Sequence, residues 1–120
     1  MKRITITGNL GDNPKLFYDK NGHDLVCFTV AVKVRNSVKP EWIYISCHGS
    51  EAEFALKHLH QGAKVLVEGF PSVDLHINRY DQPIANQRIF ASFLELMAAK
   101  PEFSTKRDPK YNFAEDDDTI

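Results

Sequence analysis

The eight residues Glu41-Trp42-Ile43-Tyr44-Ile45-Ser46-Cys47-His48 alternate as a β-strand does, with an unusual division between the two faces. Ile43, Ile45 and Cys47 form one face, suited to a core. The other presents Trp42, Tyr44, Ser46 and His48, aromatic or hydrogen-bonding groups where a buried face would carry aliphatics. Trp42 and Tyr44 fit ordinary half-buried sheet residues with their polar tips in water. They equally fit flat platforms for unstacked bases, where removing one such ring costs roughly 1 to 3 kcal/mol.

Upstream of this strand, Lys2-Arg3-Ile4-Thr5-Ile6-Thr7 alternates and is broken by Gly8, Gly11 and Pro14. Leu16 to Tyr18 is a short apolar patch ending in Asp19-Lys20-Asn21-Gly22, whose Asn-Gly pair signals a hairpin. From Leu25 to Val34, Val26, Phe28, Val30, Val32 and Val34 share a face predicted to be core, with Cys27, Thr29, Ala31 and Lys33 opposite. Downstream the period changes. Ala52, Ala55, Leu56 and Leu59 recur at helical spacing between Glu51 and His60, and Gly62 stands where a helix stops. Ala63 to Phe70 returns to strand. Pro71 to Asn86 holds two prolines and little clear periodicity, and Gln87 to Met97 suits strand or helix by pattern, with Ile89, Phe90 and Phe93 favouring strand.

A chain of 120 residues is the size of one domain. The net charge of −1 hides an asymmetry. Residues 1 to 100 carry 12 basic and 10 acidic side chains, whereas residues 101 to 120 carry 3 and 6, ending in Glu115-Asp116-Asp117-Asp118-Thr119-Ile120. Past Lys100 the aliphatics almost vanish. The organisation expected is therefore a folded domain over 1–100 and a disordered linker with an acidic tail over 101–120. No apolar run reaches the ~18 residues of a membrane span and no signal peptide opens the chain, which points to the cytoplasm. Cys27 and Cys47 are too few for a disulfide scaffold and read as reduced thiols.

Catalytic patterns are absent from the sequence. His58 and His60 are two apart on the expected helix and do not share a face, no Cys-x-x-Cys or His-Glu-x-x-His spacing exists, and no phosphate loop or nucleophile elbow stands out. A metal hydrolase built on Cys27, Cys47, His48, His58 and His60 is thus disfavoured, and neither a metal nor another cofactor is expected. Glu51 and Glu53 read as helix first-turn charges. Five short strands with one helix between the third and fourth is the layout of a mainly β, five-stranded oligonucleotide-binding barrel.

The opening Ile4-Thr-Ile-Thr-Gly8-Asn9-Leu10-Gly11-Asp12-Asn13-Pro14 resembles the first strand and glycine turn of the bacterial single-stranded DNA-binding proteins. Phe17-Tyr18 with Asn21-Gly22 is similar to that family's next hairpin, Phe28 to Val32 to its second strand and Glu41-Trp42-Ile43 to its third. Leu56 to Gly62 is similar to its helix end, and Lys64-Val-Leu-Val-Glu68-Gly69 to its fourth strand. The resemblance covers residues 1 to 97 in short blocks in the right order. It implies a protein that coats single-stranded DNA without sequence preference in replication, recombination and repair. It also implies a homotetramer (in some relatives a dimer) whose first strands pair and whose sheets stack.

By the same resemblance Trp42 matches a base-stacking tryptophan and His48 stands where a stacking phenylalanine is usual, with Tyr44 between them. Lys33, Arg35, Lys39, Arg79 and Arg88 are candidate phosphate contacts. Each of these cations suits a solvated rim equally well. Asp116, Asp117, Asp118 and Ile120 match the tip that docks replication and repair proteins. The chain also departs from the pattern. The connector Arg35 to Pro40 is short, residues 71 to 86 lack a tryptophan so that Tyr80 is the candidate substitute, and the tip ends in Thr119-Ile120 instead of proline-phenylalanine. Those departures motivate an alternative, a primosome or mobile-element accessory protein acting mainly through protein partners.

Overall fold

The computed structural model describes residues 1–99. The expected tail, with Asp116, Asp117, Asp118 and Ile120, lies outside the described residues. In chain order the elements are β1 (Ile4–Leu10), β2 (Lys15–Tyr18), β3 (Asp24–Val32), β4 (Glu41–Cys47), α1 (Gly49–His58), β5 (Lys64–Ile77) and β6 (Pro83–Ala98). The six strands form one sheet in the order β1-β5-β6-β4-β3-β2, and β1 turns back to pair with β3 through Asn9 with Ala31 and Leu10 with Val30, closing the barrel. β4 and β6 run parallel; the other neighbours are antiparallel. This is the oligonucleotide-binding barrel. The short patch at Leu16 to Tyr18 is a strand of its own, so the sheet has six strands, and α1 follows the third of the long ones.

Alternation explains the core. Ile43, Ile45 and Cys47 of β4 point inward against Val26, Phe28 and Val30 of β3, Val65 and Val67 of β5, and Ile89 and Leu94 of β6. Val32 is only partly buried, and Val34 lies beyond the end of β3 in the connector. Ala52, Ala55 and Leu59 close one end of the barrel. The helix begins and ends two residues earlier than its periodicity suggests, at Gly49 and His58. Glu51 lies in its first turn and Lys57 and His58 in its last, matching the helix dipole, while Glu53 falls outside the first turn.

The largest departure from the sequence reading is at Pro71 to Asn86, where little periodicity is legible and the chain nevertheless forms strand up to Ile77 and again from Pro83. β5 and β6 stay paired from Lys64 with Ala98 to Ile77 with Pro83, and only Asn78 to Gln82 turns. There the Asn78 side-chain carbonyl accepts from the amides of Tyr80 (2.8 Å) and Gln82 (3.0 Å), and Asp81 takes a φ of 62°. The outcome at Gln87 to Met97 is strand. A register shift between Glu68 and Gly69 bends the pair. A glycine is required there, because a Cβ on residue 69 would strike the Phe90 carbonyl.

Candidate nucleic-acid interface

β4 carries Trp42 and Tyr44 outward, 48% and 43% exposed, two residues apart on one face. Their cross-strand neighbours on β3 are small, Ala31 beside Trp42 and Thr29 beside Tyr44, so neither ring is capped from that side. The indole leans on Gly11, where a Cβ would lie 2.9 Å from ring carbon Cη2. Gly11 is held in place by its amide, which donates to Thr29 O (3.0 Å), and by the bonds on either side of it. Leu10 N donates to Ala63 O, Gly62 N to Leu10 O and Gln61 N to Asn13 Oδ1. One edge of Trp42 is thereby fixed while the ring stays open. Sequence reasoning missed Gly11 as a site residue, since nothing along the chain tells that the end of β1, paired with β3, comes within reach of the Trp42 ring.

The parallel pairing of β4 with β6 brings Arg88 level with Tyr44. Arg88, a candidate phosphate contact by resemblance, thus stands beside the aromatic pair on the same face of the sheet. Its Nε lies 3.1 Å from Asp74 Oδ2 across the β5–β6 pair, yet the N–H is not aimed at that oxygen and Nε has no hydrogen-bond partner among the described residues. A phosphate must therefore compete with Asp74 for this guanidinium, against an incomplete incumbent.

Ser46 breaks the expected pattern. It shares the parity of Trp42 and Tyr44 but is only 2% exposed, because Cys27 on β3 and Phe90 on β6 flank it. His48 follows β4 as the N-cap of α1, exposed. Its Nδ1 donates to the Asp24 carbonyl (3.0 Å), which leaves Nε2 as the acceptor of the neutral ring. Around it Asp19, His23, Asp24 and Glu53 line a shallow recess, so carboxylates surround the end of the aromatic row. Asp19 accepts from the amides of Asn21 and His23 (both 2.9 Å), and the His23 bond foremost holds its carboxyl below the usual range. That local field is unfavourable to phosphate, and His48 is separated in character from Trp42 and Tyr44.

Lys33, Arg35 and Lys39 all lie in the connector between β3 and β4, which turns at Asn36 with φ 65°. Arg79 and Tyr80 sit at the tip of the β5–β6 hairpin, with the guanidinium carbon 5.6 Å from the ring centre. The tip begins five strand residues, roughly 17 Å, beyond Arg88. The candidate residues thus fall into a central platform (Trp42, Tyr44, Arg88), a connector cluster (Lys33, Arg35, Lys39) and a hairpin tip (Arg79, Tyr80). His58 is occupied with Phe54, ring centres 5.0 Å apart. Among the described residues no helix is long and apolar enough to cross a membrane.

Comparison with known proteins gives the same direction. The chain is 28% identical over 101 residues to single-stranded DNA-binding protein 1 of Synechocystis sp., a match covering 81% of this chain and 84% of that protein. In fold it is similar to the small single-stranded DNA-binding protein from Streptomyces coelicolor, with a TM-score of 0.68 at 22% identity over 79% of this chain and 93% of that one. A family model described as the single-strand binding protein family matches residues 1–97, the whole barrel, and the chain belongs to that family.

Proposed function

We infer that this protein binds single-stranded DNA by stacking bases on Trp42 and Tyr44 and neutralising phosphates with the cations around them, coating the strand without reading its sequence. The observation that carries the reading is the open aromatic pair of β4 with Arg88 alongside. Aromatic faces accept any base, and stacked bases in a duplex are not available to them. Trp42, Tyr44 and Arg88 form the centre of the site, Lys33, Arg35 and Lys39 one flank, and Arg79 and Tyr80 the far reach. His48 contributes least, since its surroundings are acidic. Family membership supports roles in replication, recombination and repair, in the cytoplasm, by binding alone and without catalysis.

The unit that binds is residues 1–100, and residues 101–120 serve as a tail through which Asp116, Asp117, Asp118 and Ile120 recruit replication and repair proteins. The assembly is a homotetramer. Support for it comes from β1, which pairs with β5 on one side and with β3 only at Asn9 and Leu10, leaving the other edge of Ile4 to Gly8 open to a second copy. Phe70, Phe90 and Phe93 are exposed on the outer face of β5 and β6, a surface for stacking sheets. The test is competition between labelled oligo-deoxythymidine and unlabelled duplex of equal length. A hundredfold or greater preference for the single strand, on the order of 3 kcal/mol, is expected. Equal competition by the duplex would refute the reading and favour the alternative of an accessory protein acting through its tail.

A further inference from the structure

Beside the aromatic pair the outer face is not flat. A concavity of about 210 Å³ opens between β2, β3, β4 and β6, lined by Lys15, Phe17, Cys27, Tyr44, Ser46 and Arg88. It exists because the row Lys15–Cys27–Ser46–Phe90 has two small side chains in its middle, and because the next row, Thr29–Tyr44–Arg88, rises again at Tyr44 and Arg88. Phe17 forms the opposite wall, half exposed. Asp12 also lines the hollow; its Oδ1 accepts both the amide and the hydroxyl of Thr29, each at 3.0 Å, which fixes the carboxylate against β3 and leaves its negative charge on that side of the rim. At the floor the Ser46 hydroxyl makes a long, weak contact with Cys27 Sγ (4.0 Å), which leaves most of its hydrogen-bonding capacity unspent. A buried hydroxyl held by so weak a contact can turn to meet a better partner.

We propose that this concavity is a base subsite, taking one nucleobase of the bound strand edge-first between Phe17 and Tyr44. Its volume lies below the ~300 Å³ at which pockets for drug-sized ligands begin, the scale of a single ring system. The Ser46 proton meets a ring carbonyl, the two rings enclose the faces, and Lys15 and Arg88 at the rim meet the phosphates on either side. Continuity with Trp42 and Tyr44 selects a nucleic acid as the occupant. The proposal rests on single-strand binding and adds Lys15, Phe17, Cys27 and Ser46 to the residues that touch the strand.

Cys27 reports on it directly. Cys47, the other cysteine, is buried, donates to the Val26 carbonyl (3.5 Å) and has its thiol pushed up to about 12 chiefly by burial, so it stays unreactive near neutral pH. Alkylation of Cys27 by iodoacetamide, followed by mass spectrometry on the full chain, is compared free, saturated with oligo-deoxythymidine, and saturated with an abasic oligomer of equal length at low salt. Trp42 fluorescence monitors occupancy by the thymidine strand, and anisotropy of an end label monitors the abasic one. Slowing of about tenfold or more by thymidine alone is expected. Unchanged reactivity with Trp42 quenched, or equal protection by the abasic strand, overturns the subsite while leaving single-strand binding intact; absence of binding overturns both. Cys27→Leu, which fills the hollow from an outward-facing position, is expected to weaken thymidine binding about tenfold, and unchanged affinity in that folded variant would likewise refute the subsite.

Discussion

Trp42 keeps its ring in place because residue 11 has no side chain. Gly11→Ala is expected to push the indole off its seat, since the new methyl would overlap the ring. Oligo-deoxythymidine affinity should then fall toward that of Trp42→Ala, a loss of about five- to 150-fold, equivalent to ~1 to 3 kcal/mol. Wild-type affinity with an unaltered near-ultraviolet tryptophan signal would mean that the ring tolerates the methyl. Arg88 gives the opposite sign. Asp74→Asn removes the carboxylate that competes with phosphate, so affinity should rise, by up to about fivefold given ~1 kcal/mol for a solvent-exposed pair. Binding isotherms at two salt concentrations check it, and weaker binding by the variant would indicate that Asp74 positions Arg88 instead of occupying it. At this scale the sequence was only partly readable. The alternation of β4 displayed Trp42 and Tyr44 directly, but the burial of Ser46, the seat on Gly11 and the level of Arg88 with Tyr44 depend on strands more than 30 residues apart or on neighbours across the sheet.

The elements were legible wherever a single face met the core. β3, β4 and α1 follow from period alone because each buries one side and wets the other, whereas β1 runs on through Gly8, where its pattern breaks, to the buried Leu10. The arms of the β5–β6 hairpin were not read, although Val73, Leu75 and Ile77 alternate with Asp74 and His76. Pro71 and Pro83 interrupt the pattern, and the face carrying those three aliphatics has no core beneath it, with Leu75 76% exposed. Pairing with β6 across the Asn78–Gln82 turn, not burial, is what orders the arm. Its bend relies on Gly69. Gly69→Ala would set a Cβ against the backbone of Phe90 and Ala91, which cannot move as a side-chain tip can. A loss of about 1 to 3 kcal/mol in denaturant unfolding is expected, comparable to overpacking a core. Stability within ~0.5 kcal/mol of wild type would show that the strands separate freely there.

As a whole the molecule joins a closed aliphatic barrel to an outer surface that is aromatic on one side and open-edged on another. Ile45, fully buried at the centre of the barrel, belongs to stability and not to binding. Ile45→Ala should cost about 2 to 5 kcal/mol while the folded fraction keeps its affinity. The open edge of β1 and the exposed Phe70, Phe90 and Phe93 give a solution mass of about four times 13.7 kDa as the expected result of sedimentation, and a monomer would remove the proposed assembly. The barrel carries little net charge, so binding should lean on stacking. With Lys15, Lys33, Arg35, Lys39, Arg79 and Arg88 each neutralising one phosphate, the slope of log affinity against log salt per chain should be no steeper than about −4. The most direct measurement is the fluorescence of Trp42, the only tryptophan, titrated with oligo-deoxythymidine and with a matching duplex at low and moderate salt. Strong quenching by the single strand alone, persisting at moderate salt, is the result expected of a base-stacking platform. An unchanged signal under conditions where an independent assay detects bound single strand would contradict it, because DNA would then lie elsewhere on the molecule.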